Sequence, residues 1–361
     1  MSKDKDLSQR QVPGSPLGRA IEDLHPAYFA LVMATGIISI AARLLGMELV
    51  AASLFWINIA FFVTLWLLYF LRLVFFPRRF LADLFDHGRG PGFFTLVAGT
   101  GVLGSQFVTV MPDYRVAFVL WLLAALLWVV LIYTVFTGII VKENKPSIAD
   151  GINGGWLTAV VATQSIAVLT GLLATRFGQY QEQGFFLALA MWLFGGMLYI
   201  WLISLIFYRY CFFRFSPQDL TPPYWINMGA VAISTLSGTI LIANAPNFAL
   251  FQEILPFLRG FTMFFWATGT WWIPMLLVLG IWRHLFKRAP LRYSPLYWGA
   301  VFPLGMYTAA TFQLAAVNGL PFVAAIARVF IFAAMAAWLA TFTGLALGIV
   351  NGYRSGAAHV R

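Results

Sequence analysis

The residues able to do acid–base, nucleophilic or metal chemistry are few, and none sits where catalysis would need it. The chain has four histidines (His25, His87, His284 and His359) and one cysteine, Cys211. A lone thiol excludes a disulfide framework and any thiolate metal cluster within one chain. There is no His-Glu-x-x-His, no Gly-x-Ser-x-Gly and no pair of aspartates inside an apolar run, so metal-assisted, serine and aspartyl hydrolysis lack their parts. Haem would need axial ligands at membrane depth within the helices, and all four histidines lie outside the core of the spans. Gly99, Gly101 and Gly104 mimic a phosphate loop, but they stand inside an apolar run and not between a strand and a helix. No catalytic residue, no metal ligand and no cofactor is therefore expected, and the chain is not expected to be an enzyme.

The chemistry left is passage. All 13 acidic residues lie in loops, in the N-terminal segment or at the ends of apolar runs. Proton relays and cation coupling are usually marked by ionisable groups within the membrane. Their absence disfavours a proton antiporter, a sodium symporter or a carboxylate-ringed cation channel. A neutral lumen does not repel anions, and it can hold them through hydroxyls and the positive N-terminal ends of helices. Candidate wall residues are Thr35, Gly36, Ser39, Thr100, Gly101, Gly104, Thr163, Ser234 and Ser237. Phe302, beside Pro303, lies near the middle of an apolar run. On spacing alone it reads as a packed core ring, with a plug at a proline kink as the alternative. Gln106, Gln164 and Asn227 are expected to hydrogen-bond between helices.

The elements that must position these residues are membrane helices. Hydrophobic residues make up 61% of the 361 and charged residues 10%, against about 25% charged in soluble domains. Ten stretches are long enough to span, at about 20 residues each: 26–46, 50–76, 92–110, 114–141, 151–175, 184–210, 222–243, 257–286, 293–317 and 322–350. They must be helical, because hydrocarbon offers a free backbone amide no partner. Residues 1–24 read as a polar tail, 25–352 as one ten-helix transport domain and 353–361 as a short C-terminal tail. The first 24 residues lack the apolar core and cleavage site of a signal peptide.

With the N-terminus on the cytoplasmic side, 18 of the 23 Lys and Arg residues fall on that side, which is the positive-inside pattern. Both termini are expected in the cytoplasm and the protein in the inner or plasma membrane. The formal net charge of +10 is then a topology signal and an anionic-lipid contact, not a nucleic-acid surface. Eleven of the 14 tryptophans fall in even spans, while glycine, serine and threonine favour the odd ones. Small residues let helices approach closely or leave room for a lumen. Five hairpins with odd spans inside and even spans outside follow. A faint repeat agrees: Phe29…Thr35-Gly36, Phe94…Thr100-Gly101 and Trp298…Leu304-Gly305 share a spacing.

His25-Pro26-Ala27-Tyr28-Phe29, Met33-Ala34-Thr35-Gly36-Ile37, Tyr224-Trp225-Ile226-Asn227-Met228-Gly229 and Phe302-Pro303, with ten spans and inner termini, resemble the tellurite-resistance/dicarboxylate transporter family. That family includes bacterial TehA, the yeast malic-acid permease, fungal sulfite efflux pumps and plant slow-type anion channels. The resemblance covers essentially residues 25–350. It implies an all-α integral membrane fold of five helical hairpins around a quasi-fivefold central pore, a homotrimer with one pore per protomer, and a gating aromatic in the ninth span. Phe302 followed by Pro303 matches that gate.

The expected function is a channel or transporter for small anions, of dicarboxylate, sulfite, tellurite or halide type. The main alternative is proton-coupled transport of malate-like C4-dicarboxylates or sulfite, with the proton carried on the substrate. A receptor or scaffold that transports nothing is the alternative of another class, and the short loops argue against it. The expected partners are the anion, the lipid bilayer and further copies of the chain.

Overall fold

The computed structural model describes residues 16–358, with side chains described from 18 to 350. The basic residues Lys3, Lys5, Arg10 and Arg361 lie outside the described residues. Among the described residues, ten helices are long and apolar enough to cross a membrane: α1 (Pro26–Leu44), α2 (Glu48–Phe75), α3 (Gly90–Thr109), α4 (Tyr114–Val141), α5 (Gly154–Arg176), α6 (Gly178–Phe212), α7 (Pro222–Ala243), α8 (Leu255–Phe286), α9 (Pro295–Asn318) and α10 (Pro321–Val350). Among the described residues there is no strand. These bounds differ from those expected by a few residues, apart from an earlier start to α6. Within the segment expected as a tail, Pro16–Glu22 forms a short helix against α2. Its Ile21 is buried, and the Glu22 carbonyl accepts from Arg72 Nε.

Burial separates the helices by parity. In the most apolar window of each odd helix, 67–94% of residues are buried within the protein, against 22–44% for the even ones. Each odd helix packs on two other odd helices in the cyclic order α1–α3–α5–α7–α9–α1. Each even helix covers its hairpin partner and also touches the next odd helix, so that α10 reaches back to α1.

That second contact carries a hydrogen bond all the way round. Asn58 Nδ2 of α2 donates to Gln106 Oε1 of α3 at 2.6 Å. Trp128 of α4 donates to Thr163 of α5, Trp192 of α6 to the Ser234 carbonyl of α7, Trp266 of α8 to Thr311 of α9, and Trp338 of α10 to Thr35 of α1, at 2.8–3.0 Å. An indole N–H has no partner in lipid, and these four tryptophans turn inward to find one. The sequence bias toward outer tryptophans and inner hydroxyls is in part this bond, repeated. Trp338→Phe is expected to cost about 0.6–2 kcal/mol by leaving Thr35 without its donor. A thermal melt of the purified protein in detergent measures it, and an unchanged midpoint would remove the bond from the account.

The odd helices all begin the same way. Each opens with a 3₁₀ turn: Pro26–Phe29, Gly90–Phe93, Gly154–Leu157, Pro222–Trp225 and Pro295–Tyr297. Proline at the start costs nothing, since the first N–H groups of a helix have no partner within it. The two buried arginines anchor this face. Arg72, with its side chain 2% exposed, pairs with Asp83 at 2.6 Å. Arg209 donates to the Ala149 carbonyl at 2.6 Å, to the Tyr224 hydroxyl and to Asp219. Burial pushes the Asp83 carboxyl up, but hydrogen bonds from Arg89 and Arg72 outweigh it and hold it below the usual carboxylate value.

Candidate functional site

Two cavities lie on the inward faces of the odd helices, and each is lined by residues from all five. The first opens at the face where the odd helices begin and has a volume of about 120 Å³. Ala30, Thr95, Thr158, Ile226 and Gly299 line it, with one residue from each odd helix. Its inner end is Phe302. The second, of about 40 Å³, lies toward the opposite face. Ile37, Val102, Ser165, Ile233 and Met306 line it, and further along Leu44, Thr109, Leu172, Ile240 and Gln313 do so.

The spacing fixes an internal register. From the first of these layers to the second, every odd helix advances by seven residues, as from Ala30 to Ile37 and from Gly299 to Met306. From the second to the third every helix again advances by seven. Two helical turns return a side chain to nearly the same face. One stripe per helix therefore lines both cavities. The same register pairs Phe29 with Phe94 and Trp298, so the faint repeat in the sequence is a true structural repeat.

Between the cavities the register places Met33, Ala98, Val161, Gly229 and Phe302. Met33 is 1% exposed, and Ala98, Val161 and Phe302 are fully buried. Phe302 is the one aromatic ring in this layer. A Cβ added at Gly229 would lie 2.7 Å from Pro303 Cγ, so the absence of a side chain there lets the α9 backbone close on α7. Pro303 has no N–H and cannot donate within its helix. The layer just beyond is equally dry, with Ile37, Val102, Ser165, Ile233 and Met306 all at most 3% exposed. Neither cavity has a carboxylate, lysine or arginine in its lining.

The other wall candidates have different surroundings. Gly101 lines the second cavity, against Ser165. Thr35 and Thr163 accept indole N–H groups from α10 and α4. Ser39 donates to the Ala51 carbonyl of α2 at 2.7 Å. Thr100 and Ser234 donate back to carbonyls of their own helices. Gly36 sits beside Val102 and the Asn58–Gln106 pair, and Gly104 beside Leu169 and Leu120. Ser237 Oγ is buried without a hydrogen-bond partner among the described residues. Gln106, Gln164 and Asn227 do bond between helices, to Asn58, the Trp192 carbonyl and Tyr210. The cavity hydroxyls that composition did not single out are Thr95, Thr158, Thr221, Ser105, Thr109 and Ser165. Superposing the five odd spans at the seven-residue stripe would have found Thr95, Thr158, Thr109 and Ser165.

His25, Asn153 and Thr221, which line the first cavity, stand just ahead of odd helices. His25, Asn153, Thr221 and Ser294 precede the opening turns of α1, α5, α7 and α9. His25 Nδ1 accepts from Ala27 N–H at 3.0 Å, Asn153 Oδ1 from Gly155 N–H at 2.7 Å and Ser294 Oγ from Leu296 N–H at 3.3 Å. Burial, reinforced by the charge of Arg89, lowers the His25 pKa to about 4, so the ring is neutral at pH 7. The positive ends of five helix dipoles converge on this cavity, which favours an anion there.

The sequence model of a family described as voltage-dependent anion channel matches residues 23–346. An uncharacterized membrane protein of Mycobacterium tuberculosis is 39% identical over 150 residues, which is 41% of this chain and 75% of that protein. An uncharacterized transporter of Methanocaldococcus jannaschii is 26% identical over 297 residues, 81% of this chain and 83% of the relative. A protein of Trichophyton rubrum named as a sulfite efflux pump is 24% identical over 352 residues, covering 90% of each chain.

Proposed function

The chain belongs to the voltage-dependent anion channel family, and from that premise we propose that small anions cross the membrane along the axis enclosed by its five odd helices, with Phe302 as the gate. The observation that carries this is one stripe per helix lining two cavities, interrupted at the dry layer that holds Phe302. A large apolar ring at such a point excludes water, and an anion cannot enter without it. Pro303, which leaves one hydrogen bond of α9 unmade, gives the helix a place to bend beside that ring.

The lumen wall in this reading is the stripe through Thr95, Thr158, Ser165, Ser105 and Thr109, with Gly101 beside it. Thr35, Thr163 and Ser234 hold the outer helices in place. Residues 25–352 act as one transport domain. The face where the odd helices begin carries most of the Lys and Arg residues and is cytoplasmic. The protein works in the inner or plasma membrane, as a trimer with a separate path in each copy. Sulfite is the first anion to test, because a relative spanning 90% of this chain carries the name of a sulfite efflux pump. Malate-type dicarboxylates, tellurite and halides follow it.

The test is flux into liposomes carrying the purified protein. A membrane potential set with potassium and valinomycin is expected to drive sulfite uptake, and a pH gradient alone is not. Uptake driven by the pH gradient alone would replace the channel with proton-coupled transport. No flux of any anion would leave a receptor or scaffold.

A further inference from the structure

We propose that the first cavity is a binding site for a small inorganic oxyanion, held by the side-chain donors His25 Nε2–H, Asn153 Nδ2–H and Thr221 Oγ–H. The inference deepens the transport reading and rests on it: the site would hold the anion, part-dehydrated, before the Phe302 layer. All three residues line the cavity.

The caps decide which atoms remain for a ligand. His25 Nδ1 accepts from Ala27 N–H, so the proton of the neutral ring sits on Nε2. Asn153 Oδ1 accepts from Gly155 N–H, which leaves its amide NH₂ free to donate. Thr221 precedes its helix without capping it through the side chain. None of the three donor atoms has a hydrogen-bond partner among the described residues. The backbone N–H groups of Ala27 and Gly155 are already bound to the caps, so the helix ends are not the ligands. Thr95 and Thr158 donate to the Pro26, Gly92, Pro91 and Gly155 carbonyls and have no hydrogen left over. The cavity thus offers uncharged donors, with no lysine or arginine to trap the anion. Such a set binds an oxyanion and lets it leave, as conduction requires.

The experiment is calorimetric titration of the purified full chain with sodium sulfite. Thr221→Val removes one donor without touching a cap. Asn153→Asp keeps the capping oxygen and His25→Asp supplies one in place of Nδ1, and in each the donor is replaced by a negative oxygen. Asp variants are expected to weaken sulfite binding about tenfold or more, and Thr221→Val about threefold. His25→Asn keeps both cap and donor, as Asn153 does at the equivalent position, and should bind within about threefold of the parent. Unchanged binding in Asn153→Asp and Thr221→Val, or no sulfite binding by the parent, overturns the site. Flux through Phe302→Ala liposomes separates the two claims. Flux with unaltered binding sinks this site and leaves transport standing, whereas binding without flux keeps the site and removes transport.

Discussion

Phe302→Ala is expected to raise sulfite and chloride flux through liposomes by about tenfold to a hundredfold, since each 1.4 kcal/mol removed from a barrier is worth a factor of ten. The ring is fully buried between two cavities. Its layer mates are Met33, Ala98, Val161 and Gly229, and two of these have little or no side chain. Once the benzyl group is gone, water can reach from the first cavity toward the second, and an anion need not shed its whole hydration shell. Truncating a buried Phe also costs about 3–5 kcal/mol of stability in well-packed cores, so the melting point of the variant must be recorded beside its flux. Phe302→Leu, which still fills much of the space, is expected between the parent and the Ala variant. Equal flux in all three proteins would show that the ring does not close the path.

Ile233→Asp in the Phe302→Ala background is expected to abolish most of that flux, by about a hundredfold in alkaline buffer. Ile233 is 1% exposed and lies in the layer just beyond Phe302. A carboxylate there faces each passing anion across a few ångströms, where repulsion at intermediate dielectric is several kcal/mol. Ile233→Asn has nearly the same shape without the charge, so its flux should stay within a few-fold of the Phe302→Ala background. Equal loss in both variants would mean that the effect is steric, and full flux in both would place the path elsewhere. The Asp variant also tests the first inference drawn from the composition, that the absence of fixed negative charge at depth is what suits this lumen to anions.

Much of the architecture was legible in the residues. Ten apolar runs, basic residues clustered at alternate ends and tryptophans on alternate spans led to inner and outer helices, and the packing has that form. The repeat was visible at Phe29, Phe94 and Trp298, and Phe302 stood out once the motifs at its neighbours resembled a known family. The facing of the small polar residues was not legible. Thr35 and Thr163 are hydroxyls on inner helices, yet they take indole hydrogens from α10 and α4. Ser165, with the same chemistry and two residues from Thr163, lines a cavity instead.

The sequence by itself determined the solvent, the number of spans and their alternation, because each of these follows from how much apolar surface lies between charges. Only the tertiary structure decided which stripe of each inner helix looks at the axis. The physical reason is that lipid, a neighbouring helix and a dry lumen all accept the same apolar side chains, so a helix buried on every side shows little periodicity. The five helices reveal their common face only when packed together, where the residues seven apart in each of them meet in layers.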